Sequence, residues 1–590
     1  MKRLFTLLVL ISIQSYGQIN IQTYQNKSVT ITPKGLQGGT GNLVQSSIAI
    51  GDDALLSNTF GASNIAIGHY ALQKNTIANF NIAIGTDALF SNTGGYFNTA
   101  IGYESLFRNT SGSSNVGIGD ESLNFNTTGY NNTALGANSL HNNAIGYNNT
   151  AIGNTSLYYS TKGSFNTAVG GGTLYFNLTG YSNTAIGTVA MYNNINGVRN
   201  VAVGDSSLYS NLTGTNNTAI GTFALYGNTN GHNNTANGYY ALYNNSGGSQ
   251  NTATGTFALS ANTSGVSNTA IGYQSLSSNK TGSTNTAIGQ SALFSNTSGS
   301  SNTGIGSVSL IYNTSGYENT ATGGRSLVYN KTGNVNVANG YESLGSNTEG
   351  SWNTAIGHSA LLKNTIGGQN TAIGYFSGEN CVSGYNNTFL GYYAGTSIPE
   401  SYNATAIGAN VTVNASNKVR IGNSDVTVIE GQVPWSTPSD RRLKENIAST
   451  DLGLNFITRL QPVSYNYIAD KTHVRHDGFI AQDVEKVMDE LGIEFSGLKK
   501  AEDGTYSLAY SDFVMPLVNA VKEQQKQIET LRTQTPAQIK EYNIVTRKNG
   551  YDLKEAVNKA IKEGWQPIGG LTVYVNPSDG STNFAQAVVR

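Results

Sequence analysis

Asn217-Thr218-Ala219-Ile220-Gly221, followed by Ala224-Leu225, Asn228 and Gly231, is a clean copy of the unit that decides the fold. The unit reads Asn-Thr-Ala-Ile-Gly-x-x-(Ala/Ser)-Leu-x-x-Asn-Thr-x-Gly-x-x. Its first Gly recurs every 17 residues, from Gly51 through Gly68, Gly85 and Gly102 to Gly391 and Gly408. The 21 intervals contain no insertion or deletion. Loops between globular domains tolerate length changes, whereas units that must stack on their neighbours do not, so the strict period predicts a solenoid. Seventeen residues are too few for a two-helix repeat, and Asn, Thr and Gly disfavour helix.

One unit fits one coil of a parallel β-solenoid, or β-roll. Thr218 and Ile220 share parity in a short strand and so share a face, with Asn217, Ala219 and Gly221 on the other. If Ile is the buried residue, Thr is buried beside it. Leu225 adds a second apolar row. Gly231 is expected to take positive φ at a corner. Asn228 and its equivalents suit turns, and stacked Asn side chains can hydrogen-bond along a fibre. Twenty-two coils rising roughly 4.8 Å each make a rod of about 105 Å. The Ile position is polar at Asn237, Thr254, Thr322 and Asn339. These rungs read as drift in a coil held by its neighbours, or as layers that bind ions or fix register.

Outside the repeat the composition changes. Of 67 charged residues, 39 lie after Pro438. A net charge of −1 gives no electrostatic case for a nucleic-acid partner. The single cysteine, Cys381, excludes an intrachain disulfide framework and suits a small buried residue. His473 and His476 are near in sequence but read as exposed loop residues, so neither a metal site nor a cofactor is expected. Lys2 and Arg3, the apolar run Leu4–Ile13 and Ser15-Tyr16-Gly17 read as a secretory signal over residues 1–17. The expected location is secreted or cell surface, with no membrane segment after the signal.

Residues 18–46 form an N-terminal segment, 47–424 the rod and 425–438 a connector stiffened by Pro434 and Pro438. Residues 47–408 resemble the head repeats of trimeric autotransporter adhesins, whose signature is Asn-Ser-Val-Ala-Ile-Gly. That resemblance implies a left-handed β-roll in which three chains share an apolar interior. The unit here differs in length, which leaves its handedness open.

After the connector come Ser439-Asp440-Arg441-Arg442-Leu443-Lys444-Glu445-Asn446-Ile447, Leu460-Gln461-Pro462-Val463-Ser464-Tyr465 and Gly478-Phe479-Ile480-Ala481-Gln482-Asp483-Val484. A helical stretch follows in which Val514, Leu517, Val521, Gln524, Ile528 and Leu531 step by three and four, the spacing of a coiled-coil seam. One helix packed on its own domain would show a similar pattern. Residues 439–532 resemble the intramolecular chaperone domain of endosialidases and phage tail spikes, an α+β unit ending in a coiled-coil helix. The resemblance implies homotrimerisation, folding of the fibre in front, and single-turnover self-cleavage between Pro438 and Ser439. By position, Ser439 is the implied nucleophile and Lys444 its base. Arg441 and Arg442 would favour a neutral lysine and Asp440 would oppose it. Five residues separate Ser439 from Lys444, so a pair within one chain needs an intervening turn; otherwise the lysine serves a neighbouring chain.

Residues 533–540 read as a linker and 541–590 as a small α+β domain. Its helix is expected to start at a capping box of Asp552 and Glu555. Gly564-Trp565-Gln566-Pro567 and Phe584-Ala585-Gln586-Ala587 resemble a small bacterial domain of unknown function, with Trp565 as a core anchor. The leading expectation is a structural or adhesive surface fibre whose partner is a host-surface or environmental glycan or protein. The competing readings are a spike that binds or degrades polysaccharide and a solenoid that binds ice or another surface through a Thr ladder.

Overall fold

The computed structural model describes residues 19–23, 27–32, 35–37, 47–433, 435–468, 473–501, 504–534, 542–547 and 549–589. The signal segment 1–17 lies outside them, as do Pro434 and the greater part of the 533–540 stretch. The chain forms two compact units, Met1–Asn423 and Ser424–Arg590.

In the first unit, three short antiparallel strands (Ile19–Thr23, Lys27–Thr32 and Gly35–Gln37) precede the rod. The rod is one parallel ladder of three-residue strands, from Ile48–Ile50 to Val419–Ile421. Each strand pairs in register with its equivalent 17 residues on: Thr218 faces Thr235, Ala219 faces Ala236 and Ile220 faces Asn237. The last step is shorter, Thr405 facing Val419. Backbone bonds link each coil to both neighbours, as in Gly221 N to Val203 O (2.7 Å) and Leu225 N to Ala241 O (2.9 Å).

The interior reverses one expectation. Ala219 is buried while Thr218 is half-buried and Ile220 is exposed, so the small residue of each strand points inward. Leu225, Ala224, Asn217, Asn228 and Gly231 complete the buried cross-section, and they leave no room for Ile. At one coil the rule inverts. Gly378 takes the place of Leu225 and Phe389 that of Ala219, and a Cβ on Gly378 would stand 2.7 Å from the Phe389 ring. The aromatic ring occupies the volume the leucine gives up.

Two ladders of asparagine run up this interior. Each amide at the Asn217 position accepts from the next coil and donates forward: Asn234 N and Nδ2 both donate to Asn217 Oδ1, at 3.0 and 3.1 Å, while Asn234 Nδ2 also reaches Gly248 O at 2.9 Å. At the Asn228 position, Asn245 Nδ2 donates to Asn228 Oδ1 at 2.8 Å and to Gly248 O at 2.8 Å. An amide carries a donor and an acceptor on one short arm, so buried amides stacked at the strand spacing satisfy one another. The second ladder breaks where Ser160 and Cys381 replace Asn. Asn143 Oδ1 and Asn364 Oδ1, the acceptors just before the breaks, have no partner among the described residues. Cys381 is fully buried, as expected.

The positive φ expected at Gly231 is found at the other glycine of the unit. Positive φ falls on Gly221 (+124°), whose Cβ would lie 2.8 Å from the Gly238 carbonyl. Gly231 needs no left-handed backbone. It is small because the Asn228 and Asn245 amides and the next coil's carbonyl press on it. Leu225 takes φ 54°, a conformation costing roughly 1–2 kcal/mol for an L-residue. Burying a leucine is worth about 1.5–3 kcal/mol, so packing outweighs the strain.

In the second unit, α1 (Leu454–Ile457), α2 (Ala481–Leu491) and α3 (Val514–Gln534) surround a core of Phe456, Leu460, Val484, Phe495 and Phe513. Two hairpins, Val463–Tyr465 with His476–Gly478 and Leu498–Lys500 with Tyr506–Leu508, flank it. Gly492 closes α2 in the left-handed conformation at φ 63°. Farther on, α4 (Gly550–Lys562) accompanies an antiparallel sheet ordered Tyr542–Arg547, Thr582–Val589, Gln566–Val575. The cap of α4 is Asn549, which accepts from Asp552 N at 2.8 Å. The box is thus Asn549 with Asp552, three residues before the expected pair, because an amide at the N-cap accepts from the third helical N–H as a carboxylate does. Leu553 is buried and Trp565 half-buried.

Candidate functional site

The described residues of the connector, and the chain on to Asp440, are exposed and form no helix or strand. There the chain makes a single 3-10 turn, Arg441–Leu443, capped by the Asp440 carboxylate, which accepts from Arg442 N at 2.8 Å. The same carboxylate pairs with the Arg442 guanidinium at 2.6 Å, and this hydrogen bonding holds Asp440 below the usual carboxylate range. Arg442 is therefore engaged by Asp440. The turn brings Lys444 back over the start of the segment, where its Nζ donates to Ser439 Oγ at 2.7 Å. The structure thus supplies the turn that a five-residue spacing requires, and it joins the two side chains within one chain. Both residues are open to solvent.

The helical seam residues lie elsewhere in the unit. One side of α3 is fastened to α1: Pro516 and Ala520 are buried, Glu523 Oε2 accepts from Leu454 N at 2.7 Å, and Asn519 Nδ2 donates to Leu452 O at 3.1 Å. The heptad row lies off that side. Val514, Leu517, Val521, Gln524, Ile528 and Leu531 are all exposed. The pattern therefore does not come from packing on the helix's own domain, which uses Phe513, Pro516 and Ala520 instead. Pro516 sits in the first turn, where a missing N–H costs little.

Residues 439–493 match the family model described as chaperone of endosialidase. The matched segment opens at Ser439 and contains the capped turn, Lys444, α1, the first hairpin and α2. Residues 539–590 match a domain of unknown function, DUF1737. No curated protein and no solved structure matches the chain. The C-terminal region therefore joins an endosialidase-type chaperone segment to a DUF1737 segment, preceded by a long β-solenoid.

Asn519 and Glu523, the side chains that orient α3, escaped the sequence reading because they sit off the heptad row. No helix among the described residues is long and apolar enough to cross a membrane. His473 and His476 form no cluster of metal-ligating residues among those described. His476 instead lies against the rings of Tyr465 and Tyr467.

Proposed function

We propose that this chain is an exported, tail-spike-like fibre that assembles as a homotrimer and is cut between Pro438 and Ser439 by its own chaperone segment. The observation that carries the reading is the junction: a ladder of coils ends at Ile421, and the chaperone match opens on a serine already bonded to Lys444. The solvent exposure of Val514, Leu517, Val521 and Ile528 on α3 supports three-fold association. The rod is then the working part, adhesive or structural.

The cleavage step follows from the adjacency of nucleophile and scissile bond. Lys444, as the neutral amine, takes the Ser439 Oγ proton while Oγ attacks the Pro438 carbonyl carbon through a five-membered ring. The C–N bond breaks, the Ser439 nitrogen takes the proton back from Lys444, and an ester remains. Water hydrolyses the ester, leaving a chain ending at Pro438 and one beginning at Ser439. A neutral lysine needs a dry surrounding. Both side chains are open in the single chain, so neighbouring copies closing over them would couple cleavage to assembly.

Intact-mass analysis of purified protein tests this. Wild type yields a fragment starting at Ser439, and Ser439→Ala or Lys444→Ala keeps the chain whole. Co-expressing the two variants restores no cleavage, since each chain uses its own pair. Ser439→Ala cut at the wild-type rate would refute the assignment. A second reading, a surface- or ice-binding solenoid, is favoured by one observation: the Thr column faces outward beside Ile, as such a surface requires.

A further inference from the structure

The position of Tyr226, one residue after the buried Leu225, makes a column along the rod. In six successive coils it holds a phenol: Tyr158, Tyr175, Tyr192, Tyr209, Tyr226 and Tyr243. Their rings stack face to face, with neighbouring centroids 5.0 to 5.3 Å apart and planes within 14° of parallel. All six are half-buried. His141 extends the stack beyond Tyr158 at 4.8 Å, and the column then passes to Asn124 at that end and to Ser260 at the other. Each end of the phenol run touches a phenol of another column that is open to solvent. Tyr159, 38% exposed, lies 4.7 Å from Tyr158. At the far end Tyr240 lies 4.6 Å from Tyr243, and Tyr239, 46% exposed, lies 4.4 Å from Tyr240.

Packing does not require the hydroxyls. The same column stacks Phe90 on Phe107 at 5.2 Å, so a ring without a phenol joins two coils as well. An unbroken run of phenols keeps a property that Phe lacks, the loss of one electron and one proton at an accessible potential. We infer that this column is a relay for single oxidising equivalents, running between Tyr159 and Tyr239. A one-electron radical oxidant meeting either exposed phenol starts it. The oxidant gains one electron, and the phenol loses that electron and gives its hydroxyl proton to water, leaving a neutral phenoxyl. The adjoining phenol then supplies an electron and loses its own proton to water, while the first phenoxyl takes a proton back. The first ring is a phenol again and the radical has moved on by one coil. Burial, followed by neighbouring phenols, pushes the hydroxyls of Tyr175 and Tyr209 up. The resting column is therefore neutral, and every step moves a proton with its electron. A hydrogen-atom donor of the ascorbate class ends the sequence at the far phenol, its O–H bond breaking as the phenol O–H re-forms. The oxidant is thus reduced at the expense of a donor about 24 Å away, five coils at roughly 4.8 Å each.

The test uses the full chain with Asn142→Cys, the position one coil before Tyr159 in its own column, carrying a ruthenium polypyridyl photo-oxidant. The native Cys381 is fully buried and is left in place. A flash with a cobalt(III) ammine as electron acceptor generates the oxidant. A nitroso spin trap, read by peptide mass spectrometry, shows where the radical rests. Adducts are expected at Tyr239 and Tyr240 as well as at Tyr159, and ascorbate should remove them. Tyr192→Phe with Tyr209→Phe keeps the stack and removes two phenols, so adducts at Tyr239 and Tyr240 should be lost while those at Tyr159 and Tyr175 rise. Tyr312→Phe with Tyr329→Phe, a stacked pair outside the relay at 5.5 Å, should leave the pattern unchanged. Adducts at Tyr239 that survive the Tyr192→Phe and Tyr209→Phe changes would show oxidation through solvent and overturn the relay. A parent labelled no farther than Tyr175, or an equal loss from the Tyr312→Phe and Tyr329→Phe control, would overturn it as well.

Discussion

The two units solve the problem of an interior in opposite ways. Phe389 is the one buried Phe, Tyr or Trp among the described residues of the rod, which fills its narrow section with Ala, Leu and Asn. Residues 452–520 are built round Phe456, Phe495 and Phe513, whose rings lie 4.6 to 6.5 Å apart. The rod spreads its stability evenly, coil by coil, through polar ladders that close within the chain. The C-terminal unit concentrates its stability in one cluster and leaves the long row of α3 bare. Repetition gives length with little dependence on distant residues, and an aromatic cluster gives a compact body that can carry a site and a long helix with an exposed apolar row.

The sharpest way to break this contrast is at the bare row. Leu517→Asp with Ile528→Asp would bury charge in a seam, at a cost of several kcal/mol per charge. Sedimentation should show monomers, with the Phe456 cluster intact by aromatic circular dichroism. Next in size is Gly221→Val, which forces a side chain onto the Gly238 carbonyl at a left-handed backbone position. The expected loss is about 3 kcal/mol or more. Hydrogen exchange should confine it to a few coils, because a solenoid unfolds by neighbouring units. An equal loss of protection along the whole rod would contradict the coil-by-coil picture.

A smaller and opposite effect is expected at Ser160→Asn. The new amide would donate to the orphaned Asn143 Oδ1 and accept from Asn177, gaining about 1 kcal/mol, read as increased protection near residue 160. The smallest effect is at Cys381. Burial pushes its thiol up to about 11. The fold favours the protonated form, so this contribution is complete below the ordinary thiol range and fades as pH rises toward 11. Thiol reagents at pH 8 should label Cys381 only as fast as its coil opens, and Cys381→Ser should flatten the alkaline loss of stability.

The period of 17 made the solenoid legible, because a strict spacing over so many copies has few physical explanations. The orientation of its strands was not legible. Alternation gives Thr218 and Ile220 one face and Ala219 the other, but not which face is inside. Hydropathy favours Ile. The answer depends on the room left by Leu225, Asn217 and Asn228, which only the closed coil reveals. The positive φ expected at Gly231 falls on Gly221 for the same reason, since a glycine demanded by φ and one demanded by crowding look alike in a sequence. In the C-terminal unit, the spacing of Ser439 and Lys444 left two geometries open. The turn that brings them together in one chain depends on Asp440 capping Arg442, a contact of two residues that no periodicity announces. The α3 row was visible as a pattern. Its exposure was not, because a helix packed on its own domain carries the same spacing.

The asparagine ladders have a consequence for how such a chain can change over time. Each coil presents the next with the same donors and acceptors, so coils are largely interchangeable parts. Recombination between repeats that removes or adds one unit leaves every other contact as it was. The rod would then change by about 4.8 Å per event, with no need for compensating substitutions. Reach is thus the property of this molecule most readily altered, in fixed steps like the notches of a ruler.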